Sequence, residues 1–211
     1  MTTEQPIRVC HFSTVHRPTD VRVRVRECQS LAEAGFEVHL VIGNERDEFA
    51  DGIHIHALQK PKSRILRVLL SPWVAMRMAL RTKSEIYHYH DPELIGVGFL
   101  LRWLFRRRVI FDVHECIHKQ LESKPYMPRW AGVILGQAFR ILEAILTAGQ
   151  TKVVANANSV KDYPGCTLVQ NFPRIDPACH QLPEAFQPMR NHTSSTSGKC
   201  PLIAEHWSMS T

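Results

Sequence analysis

Ile86-Tyr87-His88-Tyr89-His90-Asp91-Pro92-Glu93 reads as a β-rich run that ends in an acidic turn and opens an apolar helix. Asp91-Pro92 is a cap followed by a first-turn proline, a position where the missing N–H has no intrahelical acceptor to lose. The helix expected over residues 94–105 ends in Arg106-Arg107-Arg108, charges that suit the negative end of a helix dipole. Residues 109–113 then form another apolar β-rich run. Strand, helix, strand at this spacing is the unit from which a parallel sheet is wound.

The alternation extends both ways. Upstream runs fall at 7–12, 38–42 and 53–58, and downstream runs at 153–157 and 167–170. Several carry little polar alternation, as strands covered on both faces do. Asp20 is placed to cap a helix running to Ala34, with Gly35 as its stop. Val21-Arg22-Val23-Arg24-Val25-Arg26 alternates like a strand, but Val21, Val25, Cys28 and Ala32 share a helical face, so a helix is expected. Ser71-Pro72 opens a helix over 73–81, and Pro128 another that closes near Gly149. The expected fold class is α/β, a Rossmann-like, doubly wound, mostly parallel sheet in a single domain over residues 5–175. Residues 176–211, rich in Pro, His, Ser and Thr, are expected to form an irregular, disordered tail.

Composition removes several classes. In 211 residues, 44% hydrophobic and 22% charged usage excludes a disordered chain. A formal charge of +6 favours an anionic partner. None of the six cysteines forms a C-x-x-C, which argues against a zinc ribbon or a thioredoxin-type site. The N-terminus lacks the pattern of a signal peptide, so reduced thiols and a cytoplasmic location are expected. The longest apolar run, 94–105, is interrupted by Arg102 and is too short to span a bilayer. The loop Ser13-Thr14-Val15-His16-Arg17-Pro18-Thr19-Asp20 contains no glycine, which excludes both the dinucleotide fingerprint and the P-loop there.

In open parallel sheets, ligands sit beyond the carboxyl ends of the strands, so the polar strand ends are the candidate site. His16 and Arg17 follow the first run, either facing a cleft or lying in a solvated loop. His88 and His90 share a strand face. One reading makes them metal ligands, with His114, in a metal-dependent hydrolase. The other sends only His90 and the Asp91–Glu93 turn into the cleft, with His88 in the core and Asp91 as a helix cap. Asp112 and His114 also share a face, and His114, nearest the strand end, is suited to proton transfer near neutral pH. A third class, a non-catalytic basic module binding membrane or nucleic acid, has no recognised nucleic-acid motif to support it. Arg64, Arg67, Arg77 and Arg81 fall opposite Ile65, Val68, Trp73 and Met76 on a helical wheel. That pattern fits either an anionic membrane surface or the charged outer face of an ordinary surface helix.

Pro18-Thr19-Asp20-Val21-Arg22, Ser30-Leu31-Ala32-Glu33-Ala34-Gly35-Phe36-Glu37-Val38, the turn from His88 to Leu94, Ile110-Phe111-Asp112-Val113-His114-Glu115 and Val169-Gln170-Asn171-Phe172-Pro173 carry a resemblance. Together, in this order, they resemble the N-terminal domain of the two-domain (GT-B) glycosyltransferases of family 4, over residues 7–175. The resemblance implies transfer of a sugar from a nucleotide-sugar donor to a glycan or lipid-linked acceptor. It implies no metal and no further cofactor, and it leaves UDP-, GDP- and ADP-linked donors undistinguished. It assigns His114 to the cleft histidine near the reacting carbon of the donor, and His90, Asp91 and Glu93 to the acceptor side, where His16 and Arg17 are also expected. It implies work at the inner membrane face on lipid-linked acceptors, and with no nucleic-acid-binding motif beside the charge no nucleic-acid partner is expected. The family's E-x7-E pair belongs to its second domain. Here Glu37/Glu45 and Glu85/Glu93 have that spacing, but both sit in the strand regions of the first domain and are read as coincidences. The expectation is therefore an acceptor-side half, truncated and inactive alone, with 176–211 translated from a shifted frame.

Overall fold

The order of strands in a parallel sheet records where each crossover went. The computed structural model describes residues 5–59, 63–114, 116–124 and 127–170. The strands are β1 (Arg8–Phe12), β2 (Glu37–Ile42), β3 (Glu48–Ala50), β4 (Ile53–Ala57), β5 (Ile86–Tyr89), β6 (Arg108–Val113), β7 (Thr151–Val154) and β8 (Thr167–Leu168). They form one sheet in the order β3-β4-β2-β1-β5-β6-β7-β8. Every pairing is parallel except β3 with β4. The α/β Rossmann-like fold is as expected, and β3 is an addition. Its three residues are too few to show a period, and they pair through a tight turn at Asp51-Gly52, both with positive φ. The expected tail, 176–211, lies outside the described residues, as does Asn171-Phe172-Pro173.

The two faces of the sheet differ. Cys10, Phe12, Tyr87, Tyr89, Val109, Phe111 and Val113 pack into one apolar cluster with Ala75, Ala79 and Leu101 of the helices that cover them. On the other face Val38, Leu40, Ile42, Ile53 and Ile55 pack with Val23 and Cys28. Between those apolar patches the second face of β1, β5 and β6 carries His11, His88 and Asp112, all buried.

The segment after β1 departs from the expected helix. Asp20 does cap it, accepting hydrogen bonds from the N–H groups of Arg22 and Val23. It then winds as a π-helix over Val21–Cys28 before tightening into α1 (Gln29–Glu33). The expected buried face therefore shifts: Val21 is 55% exposed, while Val23 and Cys28, five residues apart, are buried. An i→i+5 helix aligns residues at that interval, which a 3.6-residue wheel separates.

The helix after β4, α2 (Arg64–Arg81), is continuous, with Pro72 inside it rather than at its start. Ser71, Ala75 and Ala79 form its buried line, small residues that seat the helix closely on the strands. Trp73, expected opposite the arginines, is instead 54% exposed beside Leu69, Leu70 and Val74, while Met76 packs against the core. Arg77 and Arg81 are exposed as expected. The side chains of Arg64, Ile65, Arg67 and Val68 lie outside the described residues.

A 3₁₀ turn at Pro92–Leu94 leads into α3 (Ile95–Trp103), and β6 is followed by α4 (Ile117–Glu122) and α5 (Arg129–Leu146). The short α4 was not expected from the sequence. It meets α5 at two glycines. A Cβ on Gly132 would stand 2.8 Å from the Leu121 carbonyl oxygen, and one on Gly136 2.8 Å from that of His118. Gly136→Ala is expected to destabilise the protein by about 1–3 kcal/mol through overpacking against backbone. Gly96→Ala in α3, where a Cβ meets nothing within 4 Å, is expected instead to stabilise by roughly 0.5–1 kcal/mol. Urea unfolding of both variants reads the difference, and equal effects would refute the close α4–α5 approach.

Candidate functional site

β1 sends its crossover to β2 on one side, while β5 and its successors extend the sheet on the other. The loops after β1 and β5 therefore diverge, which opens a crevice at the switch point where such sheets bind ligands. Five of the expected site residues, His16, His90, Asp91, Glu93 and His114, line one cavity there of about 370 Å³, together with Asp112. Arg17 is exposed and is not among the lining residues. His88 is buried beneath the cavity.

The Asp91 side chain does not cap the following helix. It reaches across the crevice, where its Oδ2 accepts from the N–H of Thr14 at 2.6 Å and of Val15 at 3.3 Å. Its Oδ1 lies 3.2 Å from His16 Nδ1. Backbone donors beyond β1 win because the carboxylate is 2% exposed and needs partners from within the protein. Burial pushes the Asp91 carboxyl up, but hydrogen bonds from His16 and the Thr14 N–H outweigh it and hold the group below its ordinary value. The same bond from Asp91 is the main reason that His16 is raised above 6.5. Thr14 Oγ1 donates to Glu93 Oε1 at 2.8 Å, closing the turn from the other side.

Asp112, fully buried, is the second anchor. Arg22 Nη2 reaches both of its oxygens, at 2.6 and 2.8 Å. His90 Nδ1 lies 3.2 Å and His114 Nε2 3.0 Å from Asp112 Oδ2. Burial alone would raise this carboxyl; the hydrogen bonds of His114 and His90 reverse the shift and hold it far below the usual carboxylate range. With Nε2 on Asp112, His114 presents Nδ1 as its remaining polar atom, an acceptor in the neutral ring.

The π-helix places Arg22 and Glu27, five residues apart, on one side of the turn. Arg22 Nε donates to Glu27 Oε1 at 3.1 Å while the same guanidinium holds Asp112. Burial, then the charge of Asp112, pushes the Glu27 carboxyl up. His11, opposite His88 in the β1–β5 register, sits 3.1 Å through Nδ1 from His90 Nε2, and burial pushes it down to about 3. Arg22, Glu27 and His11 were not singled out from the sequence. The available signal was a polar residue within an apolar run, His11, and two charges at the i, i+5 interval of a π-helix. Among the described residues, two groups have ligand atoms close enough for a metal: His11, Glu27, His88 and His90, and separately His90, Asp112 and His114. The set expected for a hydrolase, His88, His90 and His114, is not one group.

The His16–Asp91 pair ties the β1 loop to the β5 turn. Because His16 is raised, its contribution is full below about pH 6.5 and fades as pH rises through the folded value. Because Asp91 is lowered, its contribution is present above about pH 4 and is lost as pH falls through its folded value. Asp91→Asn is expected to bring the His16 titration down, read from imidazole proton shifts by NMR. An unmoved titration would remove Asp91 as the cause.

Comparison with known proteins bears on the fold and the family. The solved structure of sucrose-phosphate synthase from Thermosynechococcus elongatus matches at a TM-score of 0.54 and 13% identity, covering 78% of this chain and 47% of that one. A second structure of that synthase, a partial chain in a twinned crystal, matches at 0.48 and 17% identity, covering 77% of this chain and 85% of that one. The first likeness shows the fold, and the chain spans about half the length of that relative. No curated protein matches the sequence significantly. The family description "Glycosyltransferase Family 4" matches residues 21–163, more than half of the chain, from the π-helix through both anchoring carboxylates to Tyr163. The chain belongs to Glycosyltransferase Family 4.

Proposed function

We propose that residues 5–175 form the acceptor-side domain of a nucleotide-sugar glycosyltransferase, with His114 as its contact to the donor sugar. Membership of the family implies nucleotide-sugar substrates in general. The observation that carries the finer reading is the single cavity at the switch point, where His16, His90, Asp91, Glu93 and His114 converge. Asp91 and Glu93 offer carboxylate acceptors to hydroxyl groups of an incoming acceptor. His114 Nδ1 accepts from a donor-sugar hydroxyl while Asp112 fixes the ring. In the transfer, the bond between the anomeric carbon and the donor phosphate breaks and a bond to the acceptor oxygen forms. The acceptor proton passes to the departing phosphate, so His114 serves as a positioning contact and no metal or cofactor is required. The donor's nucleotide is to be held by a second domain facing this one.

The 211-residue chain alone is therefore expected to give no turnover of UDP-, GDP- or ADP-sugars, assayed by nucleotide release. Multiple turnovers by this chain alone would overturn the half-cleft reading. In an enzyme that joins this domain to a donor-binding domain, His114→Ala is expected to lower kcat by about 10²–10³. Unchanged kcat would remove His114 from the site.

The exposed face of α2 supports a reading of where the acceptor lies. Leu70, Trp73 and Val74 are exposed on the same helix as Arg77 and Arg81, which suits an anionic lipid surface with a lipid-linked acceptor. Among the described residues, no helix is long and apolar enough to cross a membrane, so contact would be peripheral. Flotation with vesicles containing anionic lipid is expected to carry the chain, and Trp73→Ala with Arg77→Glu to release it. No flotation of the wild-type chain would remove the membrane reading.

A further inference from the structure

We propose that His11, Glu27, His88 and His90 form a closed structural site for one divalent metal ion of the zinc class, buried beneath the cleft. The four residues come from three pieces of chain. His11 and His88 face each other in the β1–β5 register, His90 follows two residues on, and Glu27 covers them from the π-helix. Their offered ligand atoms all lie within 4.8 Å of one another.

The local geometry suits that ion. His11 Nδ1 and His90 Nε2 are 3.1 Å apart, and Glu27 Oε2 is 3.7 Å from each. A point equidistant from the corners of that triangle stands about 2.0 Å from each of them, the length of a zinc–nitrogen or zinc–oxygen bond. Glu27 Oε2 and His88 Nε2 are buried without a hydrogen-bond partner. His88 stacks against His90 with ring centroids 4.7 Å apart, which places a third imidazole, and so a fourth ligand, beside the triangle.

The surroundings fit as well. His90 uses its other nitrogen on Asp112, the carboxylate–histidine arrangement that orients metal-bound imidazoles. Arg22 holds the other oxygen of Glu27, leaving Oε2 directed at His11 and His90. Of the charges gathered here, Glu27 and Asp112 are negative and Arg22 positive, so a buried negative charge remains when the imidazoles are neutral. A cation, or a proton on Glu27, has to meet it. The second group, His90, Asp112 and His114, is the poorer site because the Arg22 cation already occupies both Asp112 oxygens. Three imidazoles and a carboxylate supply four protein ligands, the number that fills a structural zinc site and leaves no position for water. The role is therefore to pin β1, β5 and the π-helix under the switch point, not to activate water.

The test uses the full 211-residue chain, stripped with a chelator and titrated with Zn²⁺ by calorimetry and with Co²⁺ by visible absorption. One equivalent is expected to bind, with an upward shift in Tm and a tetrahedral Co²⁺ spectrum. Glu27→Gln and His88→Gln are expected to weaken binding about 100-fold or more, and His114→Gln to leave it unchanged. Absence of binding to the wild-type chain overturns the proposal, leaving a proton on Glu27 as the counter-charge. Loss in His114→Gln with retention in Glu27→Gln also overturns it, by moving the ion to the other group. Zinc-edge X-ray absorption of the wild-type chain needs no variant: a first shell with three imidazoles supports the assignment, and one made mainly of oxygen sinks it.

Discussion

Asp112 has no access to water, and a carboxylate so placed keeps its charge only where donors from the protein replace its hydration. The donors come from three separate pieces of chain: Arg22 from the π-helix, His90 from the end of β5 and His114 from the end of β6. Two of those donors also line the cleft. Meeting one buried charge therefore fixes the positions of residues that are distant in sequence but adjacent at the switch point. Asp91 repeats the device on a smaller scale, drawing the β1 loop onto the β5 turn through the N–H groups of Thr14 and Val15.

The two faces of the same strands show why this is affordable in a domain of modest size. Phe12, Tyr87, Tyr89 and Phe111 point to the apolar face and supply ordinary hydrophobic burial there. Their neighbours at the alternate positions, His11, His88, His90 and Asp112, build the polar wall that the π-helix covers. In a low-dielectric setting, a satisfied polar network is rigid and an unsatisfied member is costly. The partner-less atoms Glu27 Oε2, His88 Nε2 and His11 Nε2 stand out against that background, beside the paired Asp112 and His90.

The fold alone does not name a reaction, since sheets of this kind host many chemistries. What narrows the reading is the family match together with the placement of its polar strand ends around one cavity. The likeness to the synthase covers 47% of that longer chain and shows the fold.

Much of this was legible in the residues. Seven of the eight strands among the described residues, the Asp20 cap, the Gly35 stop with its positive φ and the long helix beginning after Pro128 follow from local period and local backbone preference. The strand-end residues His90, Asp91, Glu93 and His114 were likewise visible, because strand ends and the residues beyond them are where a parallel sheet meets its ligand. Local pattern did not extend to the π-helix: the shared face of Val21, Val25, Cys28 and Ala32 favours an ordinary α-helix, whereas the bond of Arg22 to Asp112 and the burial of Val23 and Cys28 accompany the wider winding. Nor did it show that α2 runs unbroken through Pro72, or that Asp91 turns away from its helix. The roles of Glu27 and His11 were not legible for the same reason, since the polar residue in an apolar run and the i, i+5 charges gain meaning only from partners that the chain brings close on folding. The sequence by itself determined the alternating sheet and the polar residues at its strand ends, which depend on neighbours a few positions away. The tertiary structure decided which of those residues share a charge, because buried charges are met by whatever donors the fold brings within hydrogen-bond distance.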